Sequence, residues 1–392
     1  MRCPVSVATF LRRPALVCAA LLVLASMSLH VPRVSAAEAD SVNVDASLQQ
    51  ILSADPRKTT AACGNVDYGD LRAAGRTNAT TPNPGGPVVV EIFLFILAVD
   101  QIEPATNSFR FEGYGGLVWC DSRLAFDAET EGAEFRMFPG EQAWDRLKGM
   151  WFPGVILPSQ LGLPERTNEM LVIHSDGTVR FSLKFNTRMI ADYDFTLFPG
   201  DRQILRIPIQ PSLWNAGLLE LREASGQVGF DRGFRIPEWN VVGHTSRIDL
   251  DAGFPQFVMQ IEIGRQVGFY LWKILLPLII ITGVAWSTFW MTRDGLAQRQ
   301  RQSATAVLSL VAYQFVAGAT LPRVSYLTLM DGIFLWSYLC VGGTLYTSIL
   351  NKRRFRHDEQ LGLRADRAGR LVFPFVYLGG ILLILAGYRL MS

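Results

Sequence analysis

The sequence predicts an all-β extracellular sandwich followed by an all-α four-helix transmembrane domain. Three observations carry this. The N-terminus has the makeup of a secretory signal. Residues up to about 265 form short runs of period-two hydrophobicity broken by turns. The remainder alternates long apolar stretches with short charged connectors.

Residues 1–37 read as the signal peptide. Arg2, Arg12 and Arg13 precede the apolar run Ala15–Leu29, and a small-residue site allows cleavage after Ala36 or Ala37. A retained membrane anchor is the alternative, disfavoured because the run is short. Residues 38–87 form a partly flexible extension: a short helix over Ala46–Leu52, then a breaker-rich lead-in ending at Pro87.

From 88 to 265 the strand pattern takes over. Val88–Val99, Ser108–Cys120, Met170–His174, Thr178–Asn186, Ile204–Ile209 and Phe257–Ile263 are predicted strands, and Ser175-Asp176-Gly177 is a turn between two of them. In Thr178–Asn186 the residues Val179, Phe181, Leu183 and Phe185 alternate with polar ones, so one face is buried. Many short strands without long helices between them argue an antiparallel, immunoglobulin-like sandwich.

Residues 266–392 hold helices over about 268–291, 298–321, 327–350 and 371–390, each near the ~20 residues that cross a bilayer. The second is the most polar. The connecting loop 351–370 carries Lys352, Arg353, Arg354, Arg356, Arg364, Arg367 and Arg370 against Asp358, Glu359 and Asp366. That excess is expected of a cytoplasmic loop. It agrees with the signal peptide in placing the N-terminal domain outside an inner (cell) membrane crossed several times.

Net charge is only +2, which gives no electrostatic reason to expect nucleic acid as a partner. The four histidines are scattered, so no metal site and no cofactor is expected. Two of the five cysteines, Cys3 and Cys18, leave with the signal, and Cys340 lies in an apolar run. Cys63 and Cys120 share the oxidising compartment; a disulfide and two unpaired thiols both fit the sequence.

At 191–205 the chain reads ADYDFTLFPGDRQIL. Asp194, Phe198, Pro199, Asp201 and Gln203 resemble the signature loop of the Cys-loop receptor superfamily, with Ala191 and Leu205 standing where its two cysteines would be, as in prokaryotic members. Gly268–Trp290, with Pro277 inside, resembles the family's first membrane helix. Leu321–Thr328 with Asp331 resembles its link between the second and third helices, and Arg265 matches its pre-membrane arginine. The resemblance covers about 88–390 and is closest to amine-gated bacterial channels. It implies a homopentamer in membrane lipid, a small-molecule agonist bound between subunits, and permeant inorganic ions.

Independently, Arg301, Thr305, Leu308, Ala312, Phe315 and Ala319 step by four and three along the second helix and share one face. Around a five-fold axis that face would line a pore: a positive ring, a hydroxyl ring, then apolar collars at Leu308 and Phe315 able to gate by dewetting. Packing between helices is the alternative use of such a stripe. Arg301 points to an anion preference, because guanidinium keeps its charge and Ala297, Gln298 and Arg299 occupy the approach, with only Asp294 further out. Snorkelling of Arg301 to the interface is the competing reading.

The resemblance places the agonist near Phe95, Tyr114, Ser182, Gln210, Ser212, Trp214 and Phe254. Ser182, Gln210, Ser212 and Leu250 replace the amide, acid or aromatics that amine-gated channels use, so an amine agonist is not implied. Coupling of pocket to pore is expected where Phe198, Pro199 and Asp201 press on Pro322–Tyr326, with Arg265 paired to Asp201 or Glu103. No nucleophile–base pair or phosphate loop suggests an enzyme. A non-conducting receptor or solute-binding protein on the same fold is the alternative function.

Overall fold

A computed structural model describes residues 54–65, 80–231, 234–291, 296–357 and 359–391. The expected signal peptide, the helix at 46–52 and Asp294 lie outside the described residues.

Among the described residues ten strands form two sheets: β1 (Val88–Glu103), β2 (Ser108–Cys120), β3 (Phe135–Pro139), β4 (Val155–Ile156), β5 (Gln160–His174), β6 (Thr178–Ile190), β7 (Arg202–Pro211), β8 (Leu219–Phe230), β9 (Trp239–Asp251) and β10 (Phe254–Arg265). One sheet has the order β3-β5-β6-β2-β1-β8 and the other β4-β7-β10-β9. All neighbours pair antiparallel except β1 with β8. Two short helices, α1 (Ala128–Glu131) and α2 (Glu141–Leu147), flank β3.

The alternation read from the sequence explains the core. Val90, Ile92, Leu94 and Ile96 of β1 meet Val179, Phe181 and Phe185 of β6, Leu205 and Ile207 of β7, and Phe257, Met259 and Ile261 of β10 between the sheets. The other face of β1 is buried too, in a second cluster of Phe93, Phe95, Tyr114 and Ala224. Gly116 permits this: a Cβ there would lie 2.2 Å from the Phe181 carbonyl oxygen and 2.5 Å from the Phe93 ring. Gly177 closes the β5–β6 turn at φ +94°, against the Asp121 backbone.

Residues 54–65 are strapped to the same sheet. Cys63 is disulfide-bonded to Cys120, with Cα atoms 4.8 Å apart. Thr60 donates its backbone N–H (2.7 Å) and its hydroxyl to buried Glu91. The Arg180 guanidinium donates to the Ala54 carbonyl at 2.8 Å.

Among the described residues four long helices follow: α3 (Gly268–Trp290), α4 (Leu296–Gly318), α5 (Leu329–His357) and α6 (Glu359–Met391). Two expectations need correction. Among the described residues, three helices rather than four are long and apolar enough to cross a membrane: Gly268–Trp290, Leu329–Asn351 and Glu359–Leu390. The fourth, α4, has the length but carries Arg299 and Arg301 alternating with Gln298, Gln300 and Gln302. Such a helix fits a membrane only if other helices or water shield its polar side. The second correction concerns 351–370, which is helical on both sides of residue 358 instead of a loop. Its sequence lacks proline and is rich in Arg, which favours helix.

Two prolines interrupt the helical rods, and each interruption is repaired. Pro277 has no N–H to give the Lys273 carbonyl, and the preceding turn Leu271–Leu275 widens into a π-helix. The Tyr313 hydroxyl of α4 donates to the freed Lys273 oxygen and to that of Ile274, both at 2.9 Å. Pro374 likewise frees the Arg370 carbonyl, which accepts from Trp286 Nε1 of α3 at 3.3 Å.

Candidate functional site

The junction between sandwich and helices is built around the segment 191–203. Ala191 and Leu205 bury their side chains in the sandwich core. Between them, Gln203 holds the loop shut: its Oε1 accepts from the Asp194 backbone N–H (3.0 Å), and its Nε2 donates to the Asp194 carbonyl (2.6 Å) and to Asp201 Oδ2 (2.8 Å).

That clamp aims Asp201 at Arg265. The guanidinium donates to both carboxylate oxygens (Nε–Oδ1 2.8 Å, Nη2–Oδ2 3.2 Å), and Arg265 N–H also reaches the Asp201 carbonyl at 3.2 Å. Both side chains are almost wholly buried. The pair is bidentate and charge-assisted, and it is enclosed by rings: the guanidinium carbon lies 4.1 Å from the Trp239 centroid and 4.9 Å from that of Phe198. Breaking one partner of such a pair costs about 3–5 kcal/mol. Glu103, the alternative acid, instead faces Arg188 at 3.8 Å.

Contacts then cross to the helices. Phe198 packs edge-on against Tyr270 of α3, with centroids 4.8 Å apart. The Phe195 backbone N–H donates to the Tyr326 hydroxyl (2.8 Å), and Leu329 N–H at the start of α5 donates to the Thr196 carbonyl (2.9 Å). Phe195 and Phe198 belong to one apolar cluster with Tyr270, Ile274, Leu310, Leu329 and Phe334. Pro199 is buried beside Phe198, and Pro322 is half-buried in the α4–α5 link. Trp239 was not singled out from the sequence, because it meets Arg265 only once β9 pairs with β10.

On α4 one face is packed and most of the remainder is exposed. Arg299, Ser303, Ala306, Leu310 and Ala317 are buried against the other helices, while Arg301, Thr305, Leu308, Ala312, Phe315 and Ala319 are exposed. Leu308 is 69% exposed and Phe315 80%. Ala319 lies in the turn just past the helix end. Arg299 is spoken for: its guanidinium donates to both oxygens of Asp366 on α6 (2.9 and 3.0 Å) and to the Met291 carbonyl (2.5 Å), and Asn351 of α5 donates to the same carboxylate at 2.7 Å. One buried ion pair thus ties the feet of all four helices. Sequence reading missed it because Asp366 was assigned to a solvated loop.

The residues expected to bind ligand fall into two groups. Phe95, Tyr114 and Ser182 lie on one face of the six-stranded sheet; Phe95 pairs with Tyr114, whose hydroxyl donates to the Asn168 carbonyl at 3.4 Å. Gln210, Ser212, Trp214 and Phe254 gather at one end of the other sheet. There Gln256 donates to Gln210 (2.9 Å), Ser212 to the Gly154 carbonyl (2.8 Å) and Trp214 Nε1 to the Phe152 carbonyl (3.0 Å). A separate apolar cavity of about 360 Å³ opens inside the sandwich, walled by Trp144, Phe152, Phe181, Phe185 and Leu157 with Arg166 at its rim. None of the expected ligand residues lines it.

Comparison with known proteins accords with this architecture. Residues 75–257 match the family model of the neurotransmitter-gated ion-channel ligand binding domain. The pH-sensitive chloride channel 2 of Drosophila melanogaster is 23% identical over 301 residues, covering 71% of this chain and 56% of that protein, so the chain spans little more than half of that relative's length. The proton-gated ion channel of Gloeobacter violaceus is 21% identical over 300 residues, covering 74% of this chain and 81% of that protein. With two sheets where the binding-domain model matches, helices long and apolar enough to cross a membrane, and relatives named as ion channels, this chain is similar to ligand-gated ion channels.

Proposed function

We propose that the chain is one subunit of a homopentameric ligand-gated channel whose pore is lined by α4. The observation that carries the reading is the exposed stripe Arg301, Thr305, Leu308, Ala312 and Phe315 on a helix whose opposite face is packed against its neighbours. A helix that spanned lipid alone would gain nothing from an exposed arginine and threonine. Facing a shared water path, the same residues have a use.

The agonist site in this reading lies between adjacent subunits, because Phe95, Tyr114 and Ser182 sit on one sheet and Gln210, Ser212, Trp214 and Phe254 on the other. Protons are the favoured stimulus, since both relatives are named for a response to pH or protons. Arg301 and the chloride channel among the relatives support anions as the permeant species. Arg299 adds no free charge to that ring, as Asp366 neutralises it.

Single cysteines along α4 test the pore assignment. At positions 301, 305, 308, 312 and 315 a charged, water-soluble thiol reagent is expected to block the current. At 303, 306 and 310 it is expected to leave it unchanged. Equal reactivity on both faces would remove α4 from the pore.

A further inference from the structure

One outward face of α6 changes character within about a turn. Leu371, Phe375, Leu378 and Leu382 follow one another at spacings of three and four, so they share a stripe, and all four are exposed. The same spacing carried back from Leu371 reaches Arg367 and Arg364, which are exposed as well. From Leu371 to Leu382 the apolar stripe rises about 16 Å, close to half the ~30 Å hydrocarbon core of a bilayer. Of the three helices apolar enough to cross, α6 is the least covered: 6% of its most apolar stretch is buried, against 28% in α3 and 39% in α5.

The basic end of this stripe is uncompensated. Beyond residue 360 the chain holds one acid, Asp366. Its carboxylate is used inward, by Arg299 at 2.9 Å and Asn351 at 2.7 Å. Among the described residues no carboxylate lies within ion-pair distance of Arg364, Arg367 or Arg370. Three guanidinium groups therefore stand within two turns with none of their charge cancelled.

Arg370 is also fixed in place. Gly369 lets α6 close on the end of α3, where a Cβ would lie 2.6 Å from the Phe289 ring. In that contact Arg370 Nε donates to the Phe289 carbonyl at 3.0 Å, and its guanidinium carbon lies 5.4 Å from the Trp290 centroid. Trp290 is partly exposed and packs edge-on against Trp286, with centroids 4.9 Å apart. Indole rings of this kind collect at the level of lipid headgroups.

We propose that this face of α6 binds an anionic phospholipid, its phosphate held by Arg367 and Arg370 and an acyl chain laid along Leu371, Phe375, Leu378 and Leu382. Guanidinium suits a phosphate because its planar N–H donors meet two oxygens at once. The apolar stripe selects a lipid over free phosphate, since a soluble anion would leave the stripe bare. The surplus charge selects an anionic headgroup, since a zwitterionic one brings its own cation to three arginines. The site is apart from the residues assigned to pore and agonist, so it stands whether or not the chain conducts.

Native mass spectrometry of the full-length protein tests it. Protein stripped of lipid in detergent is offered phosphatidylglycerol and phosphatidylcholine of the same chain length in equal amounts. The expected result is preferential retention of phosphatidylglycerol. Arg367→Gln and Arg370→Gln are each expected to lower that preference about fivefold, the weight of one basic side chain at an anionic surface, with the oligomer mass unchanged. If Arg370→Gln does not fold, the exposed Arg367 and the comparison of the two lipids still decide. Equal retention of both lipids, or an unchanged preference in Arg367→Gln, would overturn the proposal. Displacement of the bound lipid by excess inorganic phosphate would overturn it too, by making this a site for the free anion. Dissociation of the oligomer in Arg367→Gln would do the same, by giving the face to a second copy of the chain.

Discussion

Residues decide the account wherever a single polar group has one partner. Tyr313 supplies the hydroxyl that Pro277 makes necessary. Tyr313→Phe is expected to cost about 1 kcal/mol, the usual net worth of a hydrogen bond, and to lower the unfolding midpoint in detergent. Arg265→Ala is expected to abolish gating while pentamers still form on size exclusion; a dose response like the wild type's would count against its coupling role. His174 is 7% exposed. Burial first, and Arg57 second, push its pKa below the ordinary 6.5, while Asp176 and Asp55 oppose them and Arg180 adds to the lowering. Burial does the same to His244. Between the depressed value and 6.5 the unfolded chain binds more protons than the folded one, so stability rises with pH there and is lost as pH falls below 6.5. Unfolding midpoints measured from pH 7.5 to 4.5 are expected to fall less steeply in His174→Gln. At this scale the sequence was half legible. Arg265 and Asp201 could be matched from a motif, whereas Trp239, Tyr270 and Tyr313 acquire roles only through distant pairing.

Elements explain why some patterns could be read and others not. In α4 the stride of four and three separated the exposed face from the packed one before any coordinates, because a helix repeats its faces regularly. Strands β2 and β6 were legible for the corresponding reason at period two. Strand β9 was not predicted as a strand. Most of it is exposed, and its Val241, Val242, Ile248 and Leu250 follow no buried alternation. The helical feet of α5 and α6 were taken for a loop because their charge was read as solvation, although Asp366 is buried against Arg299. At this scale Leu308→Ser is the informative change. The side chain is 69% exposed, so stability is expected to change little. If the collar gates by dewetting, the channel is expected to leak current without stimulus.

For the whole molecule, a continuous path of matter joins the two domains. Asp201 and Arg265 fix the signature loop, Phe195 and Phe198 enter the helical cluster, and Leu310 carries that cluster onto the back of α4. An agonist that favours one arrangement of the sandwich can therefore bias the helices in proportion to its differential affinity. The order of strands before helices was legible because turn-rich strands and long apolar stretches are composition-level features. The ligand was not, because its expected residues fall in two separate groups, one on each sheet.

The most direct measurement is current through the purified protein in planar bilayers under asymmetric salt, with pH steps as the stimulus. The account predicts a current that switches with pH and reverses near the chloride equilibrium potential, and that loses its anion preference in Arg301→Gln. No current from protein shown to be pentameric, under pH steps and a panel of small ligands, would contradict the channel itself. Reversal near the cation potential would contradict the Arg301 ring.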